Sequence, residues 1–329
     1  MTNESNPSTE ASPPQATAQL TIGVSACLLG NPVRYDGAHK HTPYITDTLG
    51  QHAALIPVCP EVEMGLPVPR EPIRLEKYVG TSSVRLIAPG SGVDRTEQMA
   101  AFCHRRLMEL RDMNLCGYIF QARSPSCGMA KVKVFHPGTD APELIGTGLF
   151  AAALTRTFPF LPAIENDTLE ITESRHHFLL QVFALHRLNQ LFQGSWTTGN
   201  LVAFHSREKY LLMAHDIDTY RSLGKLVARA SEIPQEEVEQ NYRSVFMSGL
   251  RIATSRKKHT NVLQHLCGYF KKILNSEARA ALNDIVTEYH NGRVTLDAPM
   301  ALLQTQVNAH QVSYLASQTY LTPYPESLR

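Results

Sequence analysis

Up to about residue 135 the apolar residues of this chain come in short runs, whereas beyond about residue 173 they recur at helical spacing over long stretches. That change of period constrains the fold more than any other feature. The runs QLTIGVSA (19–26), AALIPV (53–58), SVRLIA (83–88), LCGYIF (115–120) and AKVKVF (130–135) have the length and content of strands. Between the third and fourth lies DRTEQMAAFCHRRLMELRDMN, in which Met99, Phe102, Cys103, Leu107 and Leu110 fall on one helical face and Asp94 stands where an N-cap belongs. Strand alternating with helix predicts an α/β domain with a mostly parallel sheet. Later stretches such as ESRHHFLLQVFALHRLNQLFQ, NLVAFHSREKYLLMAHDIDTYRSLGKLVARA and SEARAALNDIVTEYHNGRV predict an all-α helical domain. Pro159 and Pro162 mark the break. The expected order is a disordered tail over 1–18, rich in Ser, Thr, Pro and Gln with little to bury, then an α/β domain over 19–165, then a helical domain over 174–329.

With 329 residues, 43% hydrophobic and 19% charged, the chain is long enough for two cores of roughly 150 residues. It has no run of about 18 apolar residues to cross a bilayer. Its first residues are polar rather than basic and then apolar, so no membrane role and a cytoplasmic address are expected. Six cysteines in such a protein do not read as a disulfide framework, because cytosolic thiols are kept reduced. Cys103, Cys116 and Cys267 stand among apolar residues and read as small buried hydrophobes.

Cys27, Cys59 and Cys127 have a different setting, since each follows a strand-like run and precedes Pro, Gly or a turn. In an open parallel sheet the strand C-termini share one edge, and ligands bind there. Three thiols far apart in sequence can therefore converge on one site. Three thiolates could hold zinc with one open position, or an iron-sulfur cluster with one open iron; a lone nucleophile with two structural cysteines is the third option.

These residues carry a resemblance. SACLLG followed by RYDG, then VCPE, then SPSCG, is similar to the thiouracil desulfurase family, over residues 21 to about 160. The second half, with LVAFHSREKYLLMAHDIDTYRSLGKLVA and QTYLTPYPESLR, resembles the YbgA-like helical domain often fused to it. The resemblance implies that Cys27, Cys59 and Cys127 hold a 4Fe-4S cluster with one open iron. It also implies an iron-sulfur-dependent, non-redox reaction in which sulfur leaves a thiolated uracil base and water supplies the replacing oxygen. Glu61 is then the expected proton carrier, Ser124 the second catalytic group, and Ser126 and Asp36 substrate contacts.

The helical half adds a basic cluster. Arg207 and Lys209 stand beside His205, and Arg251, Arg256, Lys257, Lys258 and His259 lie within about two and a half helical turns. Such a patch is the footprint of a phosphate backbone, so Arg207, Lys209, Arg256, Lys257 and Lys258 are expected to bind RNA. Together these features predict a tRNA desulfidase that converts 4-thiouridine to uridine. Two alternatives stand beside it: desulfuration of free 2-thiouracil or thiolated nucleotides, and a metal-binding module without turnover.

Overall fold

The computed structural model describes residues 19–78, 80, 83–138 and 141–329; the tail expected over 1–18 lies outside the described residues. The strands are β1 (Thr21–Ser25), β2 (Ala54–Val58), β3 (Arg74–Lys77), β4 (Val84–Ala88), β5 (Val93–Asp94), β6 (Gly117–Phe120), β7 (Val132–Phe135), β8 (Glu143–Gly146) and β9 (Ala163–Glu165). Four form a sheet in the order β2-β1-β6-β9, and every pair in it is parallel. The other five form a sheet in the order β5-β4-β3-β7-β8, where only β3 and β7 run parallel.

All five expected strands are present, but the expectation of one mostly parallel sheet covers only the first. The second sheet escaped the pattern because its central strand β3, RLEK, looks too polar to be inside. Glu76 is nevertheless buried, and Arg74 offsets its charge at 2.7 Å.

The helices of this half are α1 (Pro60–Glu63), α2 (Thr96–Asp112), α3 (Leu149–Thr157) and α4 (Asn166–Leu169). The five apolar residues expected on one face of α2 are all buried. Asp94 caps at one remove from its expected place, because Arg95 occupies the N-cap while the Asp94 carboxylate accepts the Thr96 N–H at 2.9 Å.

An all-α domain follows: α5 (Thr172–Phe192), α6 (Thr198–His215), α7 (Ile217–Ala228), α8 (Gln235–Arg251), α9 (Arg256–Gly268), α10 (Ser276–His290) and α11 (Asp297–Ala309). The stretch 200–230, which reads as one periodic run, breaks at Asp216. That residue is extended, and its carboxylate accepts both the N–H and the hydroxyl of Thr219, starting α7. Within this half Glu208 is fully buried between Arg187, at 2.8 Å, and the Thr319 hydroxyl. Arg187 also donates to the Pro323 carbonyl, which ties the end of the chain to α5 and α6.

The two halves share one apolar core. Successive residues of β6 face opposite sides of the parallel sheet. Tyr118 and Phe120 pack edge-on against Phe150 on one side, and Gly117 faces Phe178 and Val182 of α5 on the other, so closely that a Cβ there would lie 2.7 Å from Val182. A parallel sheet needs cover on both faces, and the first long helix of the second half supplies part of it. Further along, Leu328 is buried and its carbonyl accepts the Tyr44 hydroxyl at 2.9 Å.

Candidate active site at the parallel sheet edge

The parallel sheet brings the C-termini of β1, β2 and β6 to one edge, and the connections after the two neighbours β1 and β6 lead to opposite sides, toward β2 and toward β9. This is the switch point where such sheets bind ligands. Cys27 lies in the single 3-10 turn after β1, Cys59 caps α1 directly after β2, and Cys127 lies in the loop after β6. The Cys27 thiol reaches the Gln121 side chain at 3.9 Å, and the Cys59 thiol faces the Val33 carbonyl at 3.8 Å.

Each loop has a local reason for its shape. Gly30 closes the turn after Cys27 at φ 89°, a conformation suited to glycine. Pro60 begins α1, where its missing N–H costs nothing, and Glu63 reaches back to accept the Cys59 N–H at 2.8 Å. The Cys127 loop is held by backbone: the Phe150 and Ala151 N–H groups of α3 donate to the Ser126 carbonyl at 3.0 and 3.2 Å. Gly148 allows that approach, since a Cβ there would stand 2.5 Å from the Ser126 carbonyl carbon.

Glu61 is the centre of the polar contacts. Arg70 donates from Nε and Nη2 to Glu61 Oε2 at 2.9 and 2.6 Å, and the Ser126 hydroxyl donates to Oε1 at 2.9 Å. Both carboxylate oxygens are thus anchored, and Ser126 itself is fully buried. Ser124 does other work: its Oγ accepts the N–H groups of Ser126 and Cys127 at 3.2 and 3.1 Å, which caps the turn. Asp36 is exposed and accepts the Ala38 N–H at 3.1 Å, the geometry of an Asx turn. That N–H, above all, holds its carboxyl below the usual range.

The thiols correct the expected cofactor. Among the described residues no group of three or more His, Cys, Asp or Glu is arranged to hold a metal ion. The 4Fe-4S cluster expected on Cys27, Cys59 and Cys127, and the iron-sulfur-dependent, metal-binding enzyme expected with it, are therefore withdrawn. The free thiols are shifted by their surroundings. Burial, and then the neighbouring Cys59, push the Cys27 thiol up to about 11; burial raises Cys59, and it raises Cys127 well above the ordinary thiol value.

Sequence reasoning missed Arg70, Glu63 and Ser25, whose hydroxyl hydrogen-bonds the Cys127 sulfur. Arg70 stands in LPVPREP, a stretch that reads only as a proline-rich loop. An arginine fixed between prolines after a sheet-edge motif was the signal available.

The expected RNA contacts are dispersed in role. Arg256 donates to the carbonyls of Tyr289 and Val294, and Lys258 to those of His215 and Ala253. Lys209 lies over the Tyr210 ring, and Arg207 over Phe204, 3.8 Å from Glu208. Lys257 is exposed and lines a groove of about 310 Å³ between α9 and α10, together with Asn261, Gln264, Thr287 and His290. None of the described helices is long and apolar enough to cross a membrane.

Comparison with known proteins divides the chain in the same order. The 2-thiouracil desulfurase family matches residues 22–166, and a protein family of unknown function, DUF1722, matches 209–325. The uncharacterized protein YbgA of Escherichia coli (strain K12) is 31% identical over 148 residues, 45% of this chain and 88% of its own. The uncharacterized protein YbbK of Bacillus subtilis (strain 168) is 31% identical over 137 residues, 40% of this chain and 88% of its own. A solved 4Fe-4S-dependent thiouracil desulfidase, TudS, is 29% identical and spans 46% of this chain and 94% of its own, with a TM-score of 0.39.

Proposed function

Because this chain belongs to the family that joins a 2-thiouracil desulfurase domain to a YbgA-like helical domain, we propose that it removes sulfur from 2-thiouracil or a thiolated nucleotide. Water oxygen takes the place of the sulfur. The observation that carries this reading is the Glu61 carboxylate, anchored by Arg70 and Ser126 at the sheet edge beside three thiols.

The reaction needs no net oxidation: water adds to the thiocarbonyl carbon, the carbon-sulfur bond breaks, and the products are a carbonyl and hydrogen sulfide. Glu61 takes the proton of the attacking water and returns one to the departing sulfur. Ser126 and Arg70 keep its oxygens in place while the charge moves. Cys27 and Cys59, held as thiols by burial, offer weak S–H donors to a soft sulfur atom. Free thiols suit a reducing compartment, so the cytoplasm is the proposed address.

A second reading, 4-thiouridine within tRNA, has one observation in its favour. Exposed Lys257 on the α9–α10 groove is placed to meet a phosphate. Arg256 and Lys258 weigh against it, since both spend donors on backbone carbonyls.

The test is incubation of the full chain, kept reduced under nitrogen, with 2-thiouracil, 4-thiouridine or thiolated tRNA in water enriched in oxygen-18. Uracil from 2-thiouracil and uridine from 4-thiouridine, each carrying the label and released with equimolar sulfide, are expected, and Glu61→Gln should lower the rate by about 10²- to 10⁴-fold. Unlabelled product, or no product from any substrate, would overturn the reading. Product from tRNA alone would favour the second.

A further inference from the structure

We propose that Arg70 is the positioning residue of this site: it sets the orientation of Glu61 and couples it to the loop that faces Cys59. This inference rests on the desulfuration reading and extends it to a residue outside the motifs of the sequence.

The Arg70 side chain is only 5% exposed, against 14% for Glu61. Its Nε and Nη2 converge on one oxygen, Glu61 Oε2, and Nη2 also donates to the Val33 carbonyl at 2.9 Å. That carbonyl is the one the Cys59 thiol faces. The Arg70 main-chain N–H donates to the Tyr35 carbonyl at 2.8 Å, so the residue grips the 31–43 loop at two points. Through Glu61 the same guanidinium reaches Ser126, next to Cys127. One side chain therefore links the loops that carry all three thiols.

The chemistry explains why arginine is suited to the task. A glutamate at a half-buried sheet edge has several rotamers, and a misplacement of about 1 Å can cost roughly 10²-fold in rate. A planar fork of donors fixes the carboxylate and the Val33 carbonyl together. Lysine carries the same charge on one atom and cannot hold that geometry. With Oε2 engaged by Arg70 and Oε1 by Ser126, the carboxylate plane is fixed before any substrate arrives.

Arg70→Lys and Arg70→Met are to be compared with the native chain for kcat, KM, uracil affinity and thermal unfolding. A positioning role predicts that Arg70→Met loses about 10²-fold in kcat, while uracil binding and KM stay within about threefold. Arg70→Lys, which keeps the charge and should keep the fold, is expected to recover no more than about a tenth of the native kcat. A residue that only staples loops would instead shift KM and unfolding together, and Lys would restore kcat; either result overturns the proposal. If the native chain turns over no thiolated substrate, the functional reading fails by itself. Arg70 is then judged by the crystal structure of Arg70→Lys, where a Glu61 carboxylate left in its native place overturns the proposal and a displaced one supports it.

Discussion

Two largely buried arginine-glutamate pairs, one in each half, are used differently. In the helical half Glu208 has no exposure, and Arg187 and Thr319 surround it. The pair there closes the structure around the end of the chain. At the sheet edge Glu61 keeps some contact with solvent, and its partners come from loops rather than long helices. Breaking a buried pair leaves an uncompensated charge whatever its surroundings. Only at the edge does the carboxylate keep some contact with solvent, and on the proposed reading its orientation matters there as well as its neutralisation.

The largest expected effect that would sharpen this contrast is acid unfolding. Burial pushes His205, His215 and His259, all in the helical half, down to about 4. His215 shows the cause: its Nδ1 donates to the Ile252 carbonyl at 2.8 Å, and its buried Nε2 has no partner among the described residues, so a second proton would find no acceptor. The unfolded chain binds protons near 6.5 and the folded one does not until about 4. The stability from these residues is therefore complete above about 6.5 and is lost as the pH falls toward 4, a total on the order of several kcal/mol. Thermal unfolding followed by circular dichroism from pH 7 to 4.5 checks this, and a flat profile would show that the histidines do not matter.

A smaller effect tests the closed pair. Glu208→Ala should cost about 3 kcal/mol in urea unfolding while the rate per folded molecule stays unchanged. A loss below about 1 kcal/mol would mean that Arg187 finds water instead. The smallest effect concerns the turn at Ser124. Ser124→Ala should cost about 1 kcal/mol, the usual value of a lost local acceptor, and lower the rate less than tenfold. A rate loss as deep as that of Glu61→Gln would move this hydroxyl from the turn into the chemistry.

What could be read from the sequence follows from how each feature is stabilised. β1 and β6 were legible because they are inner strands of the parallel sheet, covered on both faces and mostly apolar, and β2 because its ALIPV is apolar although it lies at the edge. The placement of Cys27, Cys59 and Cys127 on the segments after β1, β2 and β6, at one sheet edge, followed from that sheet alone. β3 and β9 were not legible, one because its buried Glu76 depends on Arg74, the other because it has three residues. The serines could not be told apart, since Ser124 and Ser126 flank the same proline and only the fold of the loop aims one at Glu61. The basic cluster looked uniform as a string of letters; in three dimensions two of its members satisfy carbonyls and Lys257 lies open. Metal binding was inferred from residue type and order, which do not carry the arrangement of the sulfurs.

The closeness of Gly117 to Val182 has a consequence for how such a fused chain can change over generations. The segment between β9 and α5 works as a measured spacer, because α5 must arrive with Phe178 and Val182 opposite a residue that lacks a side chain. Inserting one residue there would turn the helix by about 100° and present a different face to the sheet. Loops elsewhere can lengthen at little cost, but this junction is fixed in length, so its length should drift far less than its letters.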